Sequence, residues 1–339
     1  MPKRVTIADV ASLAGVHKAT VSRALNVATE HQVNAETLKR VQEAARELGY
    51  IPNVMARGLR TSLSMTIGVI VPDLTNPIFP PVLRGIENHL SPLGYTALLG
   101  NTDGRDDVER AVFDSLLERR VDGFIFATAR AHHPLLIEAR DRDIRAVMVN
   151  RGDIDVPFPL VTGDDASGVA AAVRHLVDLG HRRLLHLAGP SNLTTGRVRA
   201  AAFVAACAAA GIEGTVIEVS ALNVDAGFVA METIDETSRD RPTAVVANND
   251  LLALGAMRWL RSKGLNCPGD MSVVGFNDMP FAEDFSPALT TVRVPFLDMG
   301  AEAARLLLEG MKAGSQEPVT VSLPVSLVIR DSTAAPGRS

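Results

Sequence analysis

From Met65 to Gly275 the chain is punctuated by eight short apolar runs: "MTIGVIV", "YTALLG", "DGFIFA", "IRAVMV", "RLLHLA", "TVIEV", "TAVVA" and "MSVVG". Stretches that read as helix separate them. Strands that are apolar along their whole length are buried on both faces, and intervening helices supply the cover. Eight such units exceed one comfortable sheet. The pattern therefore predicts an α/β protein with two doubly wound parallel-sheet subdomains. Apolar residues make up 47% of the 339-residue chain, which suffices for cores of that size. No internal repeat is visible, and only the tail "STAAPGRS" is of low complexity.

The segment before Met65 is of another kind. The net charge of −5 hides an asymmetry, because residues 1–62 carry nine Lys or Arg against five Asp or Glu while the rest is acidic. A basic head on an acidic body points to a polyanionic partner for the head alone. Thr6 followed by Asp9 reads as a helix cap before Ile7, Val10, Ala11 and Ala14, and Gly15 supplies a tight turn. A second helix follows, with Ala19, Val21, Ala24 and Leu25 as candidates for its inner side. The third starts at Asn34, with Val33 and Leu38 as a hydrophobic staple. Leu38, Val41, Ala45 and Leu48 form its stripe, and Gly49 ends it. Two helices joined through a glycine turn and braced by a third make a three-helix, helix-turn-helix head. The second helix then presents Lys18, Thr20, Ser22, Arg23 and Asn26 outward. Lys18, Ala19 and Arg23 lie where base edges of a major groove would be met, Arg23 being able to pair bidentately with guanine. Thr20, Ser22 and Asn26 suit phosphate contacts.

Enzyme signatures are missing: the sequence holds no phosphate loop, no G-x-S-x-G elbow, no G-x-G-x-x-G after a strand and no Cys/His metal spacing. No catalytic residue, metal or cofactor is expected. His132–His133 reads as loop surface, and the pairs Asp106–Asp107 and Asp164–Asp165 as carboxylates favoured at helix starts. No apolar run approaches the roughly 18 residues of a membrane span, and the N-terminus lacks the apolar core of a signal peptide. Cys207 and Cys267 are expected to be ordinary thiols in a reducing cytoplasm.

Seven stretches carry a family resemblance: "TIADVASLAGVHKATVSRALN", "YIPNVMARGLRT", "IGVIVPDLTNPIF", "NTDGRDDVERAVFDSLLERRVDGFIF", "HLVDLGHRRLLHLAGP", "NNDLLALGAM" and "VVGFNDMPFAEDFSPALTTV". Together, over residues 5–330 and in the family's order, they resemble the LacI-type bacterial transcription repressors. The resemblance implies a DNA-binding head at 1–50, a hinge helix and linker at 51–63, and a periplasmic-binding-protein-like core. One core subdomain would take 64–162 plus 293–323 and the other 163–292 plus 324–339, with crossings near Gly163, Val292 and Pro324. It also implies a homodimer on pseudo-palindromic double-stranded operator DNA. The tail after Arg330 has no leucine heptads for further assembly.

By the same resemblance Thr6, His17, Lys18, Ala19, Thr20, Ser22, Arg23, Asn26 and Asn53 fall at DNA-contact positions. Ala56 matches a close minor-groove contact, and Leu59 the wedge that unstacks a base step. Gly58 departs from the family's hinge helix, weakening it by roughly 1 kcal/mol. His17 departs from a serine at the N-cap, where histidine is a poor choice. For the effector, Arg199 matches an arginine that anchors ligand hydroxyls or carboxylates, Thr195 a polar contact beside it, and Asn249 an amide or acidic contact. Ile78 and Phe79 match residues lining the cleft. Asn150 and Asn277 replace common aspartates, Leu222 replaces an aromatic platform, and Leu193 stands where a purine-binding relative has arginine. The implied effector is a small polar metabolite, a sugar or sugar derivative, with a hydroxy or sugar acid as the alternative.

Overall fold

The computed structural model describes residues 5–25, 29–50, 63–153, 155–237 and 241–337. The chain divides into two compact units, residues 1–64 and 65–339.

In the first unit, α1 (Ile7–Ala14), α2 (Lys18–Ala24) and α3 (Ala35–Glu47) surround a small core. Val10, Val21 and Val41 are fully buried at its centre, ringed by Ala11, Ala14, Ala24, Ala44 and Ala45. The Asp9 carboxylate accepts from both the backbone N–H (2.8 Å) and the hydroxyl (2.7 Å) of Thr6, which closes the start of α1. Gly15 adopts φ +62°, a left-handed turn that a side chain would strain, and redirects the chain from α1 to α2. Asn34 caps α3 through its side-chain oxygen, 2.8 Å from the Thr37 N–H. Ala19, a candidate for the inner side of α2, is exposed instead.

The second unit holds two six-stranded sheets. The first, in the order β11-β5-β4-β3-β1-β2, comprises β1 (Thr66–Val71), β2 (Thr96–Asn101), β3 (Gly123–Phe126), β4 (Ala146–Val149), β5 (Leu160–Gly163) and β11 (Thr320–Leu323). The second, in the order β12-β10-β9-β8-β6-β7, comprises β6 (Arg183–Ala188), β7 (Glu213–Glu218), β8 (Ala244–Ala247), β9 (Ser272–Asn277), β10 (Thr290–Arg293) and β12 (Ser326–Val328). All pairings are parallel except that of β12 with β10. Helices α4 (Phe79–Leu90), α5 (Asp106–Glu118), α6 (Pro134–Asp141) and α11 (Phe296–Ala313) belong with the first sheet. Helices α7 (Asp165–Asp178), α8 (Thr194–Ala210), α9 (Val224–Thr237) and α10 (Asp250–Ser262) belong with the second. The chain passes between sheets after β5, back after β10, and again between β11 and β12.

Three of these features position the site. Strand order reverses between β1 and β3 in the first sheet and between β6 and β8 in the second. Such reversals open crevices at the carboxyl ends of the strands, where open α/β sheets bind ligands. Beneath the first crevice, α4 and α11 cross so closely that a Cβ on Gly85 would lie 1.9 Å from the Leu297 carbonyl oxygen, and one on Gly300 2.0 Å from that of Val82. The third feature is an apolar cluster continuous from Ile67, Val69 and Phe79 through Val292 and Val294 to Val169, Val173 and Phe203. It ties the two sheets through the connecting segments.

The structure departs from the sequence reading in three places. Four strands, β5, β10, β11 and β12, lie outside the eight apolar runs because threonine and serine interrupt them. His133 is fully buried, not loop surface: its Nε2–H donates to Glu109 (3.1 Å) and its backbone N–H to Asp153 (2.8 Å). His132 alone is exposed, beside Asp155. Residues 331–334, at the start of the compositionally simple tail, are pinned to the second sheet, with Ser332 wholly buried.

Candidate functional site

Two groups of residues stand out, one in each unit. On α2, His17, Lys18, Ala19 and Arg23 are exposed, while Thr20 and Ser22 are half-buried. His17 does cap the helix: its Nδ1 accepts from the Ala19 N–H at 3.2 Å. That bond places the ring proton on Nε2, leaving a donor facing outward from the start of the helix. Thr6 is exposed at the start of α1. The expectations for Asn26, Asn53, Ala56, Leu59 and Gly58 lie outside the described residues.

In the second unit, a cleft of about 290 Å³ opens at the carboxyl ends of the strands. Asn76 and Ile78 reach it from the loop after β1, and Asn150 and Arg151 from the end of β4. The opposite wall is Thr195 at the start of α8, Leu222 after β7, Asn248 and Asn249 after β8, and Asn277 at the end of β9. Arg199, one turn further along α8, completes it. The cleft is thus built from both sheets. Asn150 (φ +68°) and Asn277 (φ +120°) hold backbone conformations that few side chains accept, asparagine among those that do. Their amide groups make no side-chain hydrogen bond within the described residues and face the cleft.

Arg199 is the most constrained group. Its Nη1 donates to the Asn248 carbonyl (2.5 Å) and its Nη2 to Asp165 (2.9 Å), and the guanidinium carbon lies 3.7 Å from the centre of the Phe276 ring. The side chain is buried, and its Nε has no partner. Asn248, also buried, has no partner for either amide atom. Arg151 forms no side-chain hydrogen bond or ion pair among the described residues, and its buried Nε is likewise unpartnered. Burial, together with the nearby Arg199 charge, lowers Arg151 to about 10, so it stays protonated at neutral pH. Buried polar atoms without partners are rare in folded proteins and call for an explanation.

Several expected residues have other settings. Phe79, the first residue of α4, is fully buried in the core and does not line the cleft. Leu193 is half-buried at the N-cap of α8, outside the lining. Asn249 lines the cleft but also caps α10, accepting from the Leu252 N–H (2.8 Å) and donating to the Leu222 carbonyl (3.2 Å). Asp164 caps α7, and Asp165 is consumed by Arg199. Arg151, Asn248 and Asn76 escaped the sequence reading. Their one signal was position, since each follows an apolar run at its carboxyl end. Across the mouth, the Ala131 N–H donates to the Asn192 carbonyl (3.0 Å) and the Thr194 hydroxyl to that of Gly152 (2.5 Å), joining the two lips. A second space of about 640 Å³ adjoins, sharing Asn150 and Thr195.

Residues 6–53 match the family of bacterial regulatory proteins, lacI family, and residues 173–333 a periplasmic binding protein-like domain. The HTH-type transcriptional repressor CytR of Escherichia coli (strain K12) is 33% identical over 332 residues, covering 97% of this chain and 96% of that protein. The chain belongs to the LacI family. Its fold agrees: the lac repressor dimer bound to operator and the anti-inducer ONPF superposes with a TM-score of 0.85 at 30% identity, covering 98% of this chain and all of that one. A complex of the transcriptional regulator CelR with cellobiose gives 0.73 at 30% identity, covering 97% and 100%. As a LacI-family member the protein is a sequence-specific DNA-binding transcriptional regulator. No helix among the described residues is long and apolar enough to cross a membrane.

Proposed function

We propose that the protein is a cytoplasmic, homodimeric repressor, not an enzyme, whose hold on a pseudo-palindromic operator is set by a small polar metabolite in the cleft. On this reading Lys18, Ala19 and Arg23 meet base edges, while His17, Thr20, Ser22 and Thr6 meet phosphates. Asn53 contacts DNA, and Ala56 and Leu59 contact the minor groove. The effector contacts are Ile78, Asn150, Arg151, Thr195, Arg199, Leu222, Asn248, Asn249 and Asn277. The observation that carries the effector half is the convergence, from two sheets, of amides and guanidiniums whose buried atoms have no partner in the protein. The subdomain division at residues 163, 293 and 324 makes the cleft a joint, so a ligand spanning it biases how the subdomains meet. A relative solved with cellobiose supports a sugar-like effector.

Fluorescence anisotropy with fragments flanking the protein's own coding region tests both halves. Arg23→Ala is expected to cost about 1–3 kcal/mol of discrimination between cognate and altered operators. Asn248→Ala removes an amide that holds nothing in the protein, so operator binding without effector persists and the metabolite response is lost. Failure of the purified protein to prefer any such fragment, with or without metabolites, removes the reading.

A further inference from the structure

We propose that the effector is an oxyanion on a small hydroxylated frame, a sugar acid or a sugar phosphate, and that Arg151 reads its charge. The inference rests on the effector reading above and adds the ligand's chemical class.

The cleft lining holds two arginines, five asparagines and one threonine among its polar residues, and no carboxylate. The carboxylates that adjoin the lining are committed elsewhere. Asp165 pairs with Arg199, Asp164 caps α7, Asp153 accepts from the His133 and Asp155 backbone N–H groups, Asp250 accepts from the Thr291 hydroxyl and the Met279 N–H, and Asp278, next to Asn277, is held by Arg293 and Arg330. Arg199 therefore has a counter-charge and Arg151 has none. A guanidinium carries five N–H donors in a planar fork. None of those on Arg151, nor the Nε–H of Arg199, meets an acceptor among the described residues. A half-buried cation with its Nε enclosed and no counter-charge, set beside another cation, is costly to the fold, and a bound anion removes that cost. The two cations repel each other, which is the second cause, after burial, of the lowered Arg151.

A neutral polyol could accept hydrogen bonds from these donors, but it would leave the repulsion in place. A carboxylate or phosphate cancels it and matches the guanidinium fork bidentately. The unpartnered amides of Asn150, Asn277 and Asn248 both donate and accept, which suits hydroxyls on the rest of the ligand.

The test uses the full-length protein and matched probes: D-gluconate and D-glucuronate against D-glucose, and D-ribose 5-phosphate and D-ribonate against D-ribose. Thermal denaturation and calorimetric titration read binding. At least one anion is expected to bind about tenfold or more tighter than its neutral parent. Comparison of carboxylate and phosphate arms shows which oxyanion is taken. Arg151→Gln should erase that preference and raise the melting midpoint of the ligand-free protein, because the repulsion is gone. Asn150→Asp, which adds a carboxylate beside Arg151, should also raise the ligand-free midpoint and weaken the anion about tenfold. A ligand-free midpoint lowered by both substitutions overturns the proposal, as does a neutral sugar that binds as tightly as its acid. If that neutral sugar is lost in Asn248→Ala, the effector site survives and only its charge was misjudged. If no probe of either class binds or alters operator affinity, charge and effector reading fall together.

Discussion

His186 sits in the middle of β6 with no exposure, stacked on Phe203 at a ring separation of 5.1 Å. Its Nδ1–H donates to the Val246 carbonyl (2.7 Å), while Nε2 has no partner. Burial is the dominant cause that pulls its pKa from 6.5 to about 4, so the folded protein holds the ring neutral where the unfolded chain would charge it. The unfolded state therefore gains the proton first as pH falls, and stability is lost between about pH 6.5 and 4. The shift corresponds to about 3 kcal/mol over that window. Buried Asp250, raised to about 7 chiefly by desolvation, acts in the opposite sense there, since its folded form takes up a proton first. The two are separable by substitution: His186→Gln is expected to lose less stability than the parent between pH 7.5 and 4.5 in urea unfolding. Equal losses would mean the ring is solvated in the folded state. Single residues also mark where the sequence was legible. Arg199, Asn150 and Asn277 could be placed because a motif surrounds them, whereas Arg151 looked like any arginine after a strand. Its lack of a partner is a property of packing, which no spacing encodes.

At the scale of elements, the fully apolar strands announced themselves, and those carrying hydroxyls did not. Thr290 and Thr291 in β10 are completely buried because neighbouring groups receive them: Thr291 donates to Asp250 (2.5 Å), and the Thr290 N–H donates to Ser332 (2.8 Å). A polar strand satisfied by distant partners has no local pattern to betray it. The tail shows the same limit, since its composition suggested nothing ordered. Yet the Val273 N–H donates to the Ser332 carbonyl (2.8 Å), the Ala334 N–H to Ser272 (3.1 Å), and His181 to the Ala334 carbonyl (2.9 Å). These bonds fasten the tail to the second sheet, and cutting them leaves buried donors and acceptors empty at about 1–3 kcal/mol each. Deleting residues 331–339 is expected to lower the unfolding free energy by several kcal/mol while the separate core around α2 remains untouched. A truncated protein with an unchanged midpoint in denaturant would show the tail to be a passenger.

For the whole molecule, the charge asymmetry between head and body was readable from composition, and so was the presence of two sheets. What composition cannot carry is how two binding events influence each other. The proposed regulator has two sites, α2 on the operator and the cleft on its effector, in units with separate cores. Linkage makes their influence reciprocal: whatever factor the effector applies to operator affinity, the operator must apply to effector affinity. A coupling of ~1–3 kcal/mol corresponds to roughly 5–150-fold in each direction. The factor measured by titrating operator with and without saturating effector should therefore equal the one measured by titrating effector with and without operator. Both titrations need the same salt, because phosphate contacts make operator affinity fall steeply with ionic strength. Salt also offers a control on where the coupling resides. If the head alone meets the phosphates, raising salt weakens operator binding in both effector states by a similar factor and leaves the coupling nearly constant. A coupling that vanishes with salt would instead place the effector's influence in the electrostatics of the head, and the joint between the two sheets would lose its assigned part in regulation.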